Sequence, residues 1–183
     1  MVSFGNTTAP ASKAQSNRKP PLTIEDARII WRNFEGRKTQ YNAQGQRNFA
    51  VVIPAEDVDA MKADGWNVKT KAPNPEYPDQ EPLSTLAVKV NFSGARPPRI
   101  VVIAGNDRQE LDEDTVAMLD RVQIEKVDLI INPSYYDVQG RQGYSAYLRS
   151  IYVTIVQDEL EKKYGSFTNS GAEENQYPDD SEF

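Results

Sequence analysis

The chain has 183 residues, with 21 Lys and Arg against 27 Asp and Glu for a formal charge of −6, and it contains neither cysteine nor histidine. Disulfide frameworks, thiolate nucleophiles, zinc ribbons and the commonest general base near neutral pH are therefore excluded. Carboxylate chemistry with magnesium or a lysine nucleophile would remain, but no arrangement for either is visible, so neither cofactor nor metal nor enzymatic activity is expected.

The length suits one domain with a real core. A 38% apolar fraction and a mean hydropathy of −0.66 are low for a wholly ordered domain and point to polar segments at the ends. No apolar run approaches the roughly 20 residues that cross a bilayer, and the N-terminal stretch lacks the apolar segment of a signal peptide. A soluble protein that stays where it is made, without a membrane partner, is the expectation.

Residues 1–22 are rich in Ala, Ser, Thr, Asn and Pro and carry Lys13, Arg18 and Lys19 without an acid, which predicts a flexible basic arm ending at Pro20 and Pro21. ARIIWRNF, residues 27–34, is β-rich, and after a polar turn at 42–45 the stretch NFAVVI, residues 48–53, forms a second strand. Together they predict a hairpin with a long basic loop. Pro54 followed by AEDVDAMKADG places Glu56 and Asp57 in a first helical turn and Gly65 at a C-terminal cap. WNVKTK, residues 66–71, alternates as a half-buried strand, whereas residues 72–82 hold four prolines and predict a loop.

Residues 83–92 alternate as a strand, residues 94–98 turn, and RIVVIA, residues 99–104, is the most apolar strand; these two predict a second hairpin. Residues 107–120 resemble a short capped helix that buries Val116, Met118 and Leu119. A strand at 123–132, a polar glycine-containing loop and a long last strand at 146–156 follow. About seven strands with two short helices give a mainly-β fold, best protected as a closed or partly closed barrel. From residue 165 onward the chain has five acids, no base and no periodicity, and is expected to be disordered. The tail thus holds −5 of the charge, while residues 1–164 hold 21 bases and 22 acids. The expected organisation is an arm at 1–22, a domain at 23–164 and an acidic tail at 165–183.

Residues 1–53 carry eight of the 21 bases against three acids, interleaved with aromatics: Trp31, Arg32, Phe34, Arg37, Lys38, Tyr41, Arg47 and Phe49. Single-stranded nucleic acid needs such a mixture, because cations follow phosphates while flat rings stack on unpaired bases. Most Trp and Phe in a β domain are nevertheless core. Strict alternation puts Ile29 with Trp31 on one face and Arg28, Arg32 and Phe34 on the other, which leaves Trp31 open between core and surface. A second patch, YSAYLRSIY, puts Tyr147 and Arg149 on a shared face opposite Leu148. The acidic groups Glu56–Asp57 and Asp112–Glu113–Asp114 sit in predicted first helical turns, where the helix dipole accounts for them without a metal.

The stretch ARIIWRNFEGRKTQYNAQGQRNFAVVI, residues 27–53, resembles the N-terminal segment of a family of bacteriophage single-stranded DNA-binding proteins, many from phages of actinobacteria. The tail ending DDSEF is similar to the DDxPF-like tip of bacterial single-stranded DNA-binding proteins, but Ser181 and Glu182 stand where a hydrophobic–proline step would be. The resemblance implies an OB-fold-like barrel, elaborated because the helix follows the second strand rather than the third. It implies sequence-tolerant coating of single-stranded DNA in replication, recombination or repair, in the cytoplasm of the host bacterium. Arg28, Arg32, Arg37, Lys38 and Arg47 would meet phosphates, Phe34 and Tyr41 would stack on bases, and Tyr147 and Arg149 would add to the surface. Asp179, Asp180, Glu182 and Phe183 would contact replication or recombination proteins, and homodimerisation stays open. The competing readings are a phage structural or assembly protein and a magnesium-dependent nuclease.

Overall fold

The computed structural model describes residues 18–158. The expected tail with Asp179, Asp180, Glu182 and Phe183, and most of the expected arm, lie outside the described residues.

The elements in chain order are β1 (Leu22–Ile24), β2 (Ile29–Asn33), β3 (Arg47–Val52), α1 (Ala55–Ala63), β4 (Val68–Lys71), β5 (Leu83–Val90), β6 (Arg99–Ala104), β7 (Asp107–Leu111), a 3-10 turn (Val116–Asp120), β8 (Ile124–Val138) and β9 (Arg141–Ile155). The mainly-β expectation holds. All nine strands of the described residues belong to one sheet, whose main path runs β1-β8-β9-β5-β3-β2, with β4 paired to β5 and β6 to both β7 and β9. Hydrogen bonding does not close this path into a ring. Its two end strands, however, are consecutive in sequence: β1 pairs with β8, the Ala27 amide donates to the Val127 carbonyl at 2.8 Å, and β2 pairs with β3. One short stretch of chain thus joins both ends of a rolled sheet, a shape compatible with the expected OB-fold-like architecture.

The interior follows from period two. Phe49, Val51, Leu86, Val88, Leu129, Ile131, Leu148, Ile151 and Val153 all point inward and are buried. One end of the roll is filled by Val116 and Leu119 of the 3-10 turn, and Val58 of α1 also joins the core. Helix α1 begins after Pro54 and stops where the sequence indicates. Gly65 takes φ +91°, its amide donates to the Lys62 carbonyl, and the Trp66 amide donates to the Met61 carbonyl at 3.0 Å, a Schellman ending.

Four expectations are corrected. Residues 107–111 form strand β7, not helix, because the turn at Gly105 and Asn106 folds them back along β6 with Val102 opposite Gln109. The helical turn starts later: the Asp112 carboxylate accepts from the Thr115 amide and hydroxyl, and the Thr115 hydroxyl accepts from the Asp112 amide. Those bonds hold the Asp112 carboxyl below its usual range, the Thr115 side chain contributing most. Next, residues 83–92 and 99–104 are no hairpin. β5 and β6 run in succession along the same side of β9, both parallel to it, β5 at Ala146–Tyr147 and β6 from Ser150 to Thr154.

The expected loop after residue 132 is instead continuous strand. β8 and β9 pair through to Val138 opposite Arg141, closed by Gln139 and Gly140, both at positive φ as a two-residue hairpin turn requires. Finally, Phe34, expected to stack on bases, is fully enclosed at 0% exposure, its ring stacked on Phe49 with centroids 5.2 Å apart. Removing so large a buried ring leaves a cavity at the turn out of β2. Phe34→Ala is therefore expected to lower stability by about 3–5 kcal/mol. A denaturant titration showing no loss of stability would contradict this placement.

Candidate nucleic-acid interface

Because the inner side of the sheet is filled, the outer side of β3, β5 and β9 is the surface left to meet a ligand. The register builds it row by row. Asn33 pairs with Asn48, Asn48 with Lys89, Lys89 with Tyr147, and Tyr147 with Asn132, a line across five strands. The Lys89 ammonium lies over the Tyr147 ring, 5.4 Å from its centroid. In the neighbouring row Ile30 pairs with Ala50 and Ala50 with Ala87, so small side chains lie beside the polar line. Beyond these, Val52 pairs with Thr85, Thr85 with Lys69, and Leu83 with Lys71. Arg149 is exposed two residues after Tyr147. None of these outward positions carries an acid, in a chain whose net charge is −6.

Two projections flank the face. The first is the loop between β2 and β3, which is tied down along its length. The Asn33 side-chain amide donates to the Arg37 carbonyl at 2.9 Å and its carbonyl accepts from the Arg37 amide at 2.8 Å. The Gly45 amide donates to the Gly36 carbonyl at 2.8 Å, a crossing so close that a Cβ on Gly36 would lie 3.1 Å from the Gly45 backbone. Asn42 and Asn48 exchange side-chain hydrogen bonds, which lean the loop onto the outer face. On this tethered loop Tyr41 is 84% exposed and Lys38 is exposed.

The second projection is the far half of the β8–β9 hairpin. Its base rests on buried Trp66, where the Tyr144 amide donates to the Gly65 carbonyl at 2.8 Å and the Tyr144 ring meets both Trp66 and Tyr135. Lys19 closes this cluster, its ammonium 5.1 Å from the Tyr144 ring centroid and paired with Asp64. Tyr135 at this base and Val138 beyond it are exposed.

The expected site residues separate into two groups. Arg28, Lys38 and Arg149 are exposed and make no ion pair among the described residues. Tyr41 is exposed and Tyr147 is half-buried on the outer face. The others are engaged within the fold. Arg32 reaches inward, its Nη1 donating to the Leu119 and Val122 carbonyls at 2.7 and 3.0 Å. Arg47 bonds Glu113 at 2.9 Å and lies against the Phe92 ring, and Arg37 pairs with Glu35. Lys69, Lys71 and Lys89 were missed: alternation along their strands marks them as outward, but only the pairing of β5 with β3, β4 and β9 gathers them. Among the described residues no group of three or more carboxylates is placed to hold a metal ion.

The family model described as "Putative phage ssDNA-binding domain" matches residues 12–182. The chain belongs to this phage single-stranded DNA-binding family. No curated protein matches it. Among solved structures it is similar to the single-stranded DNA-binding protein of bacteriophage Enc34 in complex with ssDNA, at 12% identity and a TM-score of 0.47, over 75% of this chain and 88% of that one. A C-terminal truncation of the Enc34 protein gives 13% identity and a TM-score of 0.46, over 75% of this chain and 87% of that one. For this phage single-stranded DNA-binding domain, the acid-free outer face and its two flanking projections are the candidate interface.

Proposed function

We propose that this domain holds single-stranded DNA across the outer face of β3, β5 and β9, between the Tyr41 loop and the β8–β9 hairpin. The observation that carries this reading is the line Asn48–Lys89–Tyr147–Asn132 on a face without acids. Tyr147 offers a ring to a base, and Lys89 and Arg149 offer charge to the phosphates on either side. The small, exposed Ala87 lets the strand approach the sheet. Tyr41 and Lys38 extend the contact from the loop, and Arg28 from the segment joining β1 to β2. Stacking and phosphate contacts accept any base, so binding is sequence-tolerant. The protein acts by binding rather than by catalysis, during phage DNA replication, recombination or repair in the host cytoplasm. Its acidic C-terminal residues, ending in Phe183, recruit partner proteins.

Fluorescence anisotropy with a labelled oligo-dT tests the face. Tyr147→Ala is expected to weaken binding by about 5- to 150-fold, the equivalent of one lost base stack. Lys89→Ala is expected to reduce the slope of log affinity against log salt by about 0.7, as for one phosphate contact on single-stranded DNA. Wild-type affinity in both variants would move the site elsewhere on the molecule. Deleting residues 165–183 should leave DNA affinity unchanged or raise it, because five acids and no base are removed. A clear loss of affinity in the same titration would contradict a tail reserved for partners.

A further inference from the structure

Strand β2 does not keep its alternation. Ile29 stands opposite Val51 and packs against the core, and Phe34 is in the core, five residues later. Counting from Ile29 puts Ile30 outside. Counting back from Phe34 puts Arg32 inside and Trp31 outside. Two consecutive residues therefore face outward, and the pairing with β3 shifts between Ile30 and Asn33, which makes this a β-bulge. Trp31 takes φ +51° there, a left-handed backbone that is strained for a bulky residue, and its indole is 62% exposed. Without the bulge, Trp31 would point into the core.

The bulge is locked from within. Arg32 Nη1 donates to the Leu119 and Val122 carbonyls at the end of the 3-10 turn. The Asp120 carboxylate, nearly fully buried, accepts from the Phe34 and Glu35 amides at 2.8 and 2.9 Å. Two charged side chains thus tie the residues after the bulge to the 3-10 turn and fix the chain in the conformation that turns Trp31 out. In the register Trp31 lies between the Ile30–Ala50 row and the Asn33–Asn48 row, at the β2 margin of the acid-free face.

We infer that Trp31 is a base-stacking residue of the DNA interface and that Arg32 is a positioning residue, which acts from inside the fold by holding the bulge that presents the indole. Strain on an exposed indole has no packing purpose, and one of the rows beside it carries Lys89 and Tyr147, a surface complementary to a nucleic acid strand. Arg32, in this account, touches no phosphate. The inference rests on the proposed DNA-binding face.

The test is a titration of the full chain with oligo-dT, followed by tryptophan emission and by anisotropy at several salt concentrations, with thermal melts as the folding control. Wild-type emission should be quenched, because Trp66 is buried and Trp31 is the exposed reporter. Trp31→Phe should keep most of the affinity and lose the quench. Trp31→Ala should raise Kd by about 5- to 150-fold. Arg32→Met should raise Kd severalfold with the salt slope unchanged, whereas loss of a phosphate contact would lower that slope by about 0.7. Should Arg32→Met fail to fold, the two Trp31 variants decide the indole's role, and Arg32→Gln, which removes the charge but keeps a donor for the two carbonyls, should leave the salt slope unchanged, a slope lower by about 0.7 overturning the positioning role.

Wild-type affinity in Trp31→Ala, or a quench retained in Trp31→Phe, overturns the inference while the DNA-binding face stands. Unchanged affinity with a shifted size-exclusion volume in Trp31→Ala assigns the indole to a second copy of the chain and also overturns it. No oligo-dT binding by the wild-type protein overturns the face itself.

Discussion

The segment 22–33 must satisfy its backbone hydrogen bonds on two different neighbours, and the rest of the structure depends on that. Its first residues pair with β8 and its last with β3, the far end of the sheet path. Within a few residues the Ala27 amide reaches Val127 and the Arg28 carbonyl accepts from the Val52 amide at 2.9 Å. A chain that serves both ends can do so only if the sheet rolls until they meet. Rolling encloses one side of every central strand and leaves the other in contact with solvent. It also blunts the two edges that an open sheet would offer for aggregation.

This geometry decides which charges face a ligand. The cations that cluster in the first third of the sequence are largely engaged in the fold: Arg32 on the 3-10 turn carbonyls, Arg47 on Glu113, Lys19 between Asp64 and the Trp66–Tyr144 rings. The exposed positive charge on the outer face comes instead from Lys69, Lys71, Lys89 and Arg149, which are scattered through the chain and assembled by strand pairing. A body close to neutral overall can still attract an anionic strand when its charges are sorted in this way, because the local field is set by the nearest charges within a Debye length. Binding so built weakens as salt rises.

The sequence carried local structure well wherever local rules decide it. Pro54, the acids after it and Gly65 delimit α1, and period two located β3, β5 and β6 almost to the residue. It failed where distant partners decide. Residues 107–111 precede the acids Asp112–Glu113–Asp114 and read as the start of a helix, yet pairing with β6 makes them strand, and Asp112 with Thr115 begins the helical turn afterwards. Pro133 and the polar residues after it hid the far half of the β8–β9 hairpin, although Tyr135, Tyr136 and Tyr144 suit a strand. Alternation was sound along β5 and misleading along β2, because one bulge exchanges the sides of Trp31 and Phe34. That bulge depends on carbonyls nearly ninety residues away, so no window of sequence around Trp31 contains its cause.

Where single-stranded DNA lies on this fold can be read residue by residue. The most direct measurement is an amide and indole NMR titration of the full chain with oligo-dT. With DNA on the outer side of β3, β5 and β9, shifts should concentrate at residues 47–52, 85–89 and 145–149, at the Tyr41 loop and at the Trp31 indole, with β6 and β7 unmoved. Shifts confined to β6, β7 and the proline-rich loop at 72–82 would contradict it.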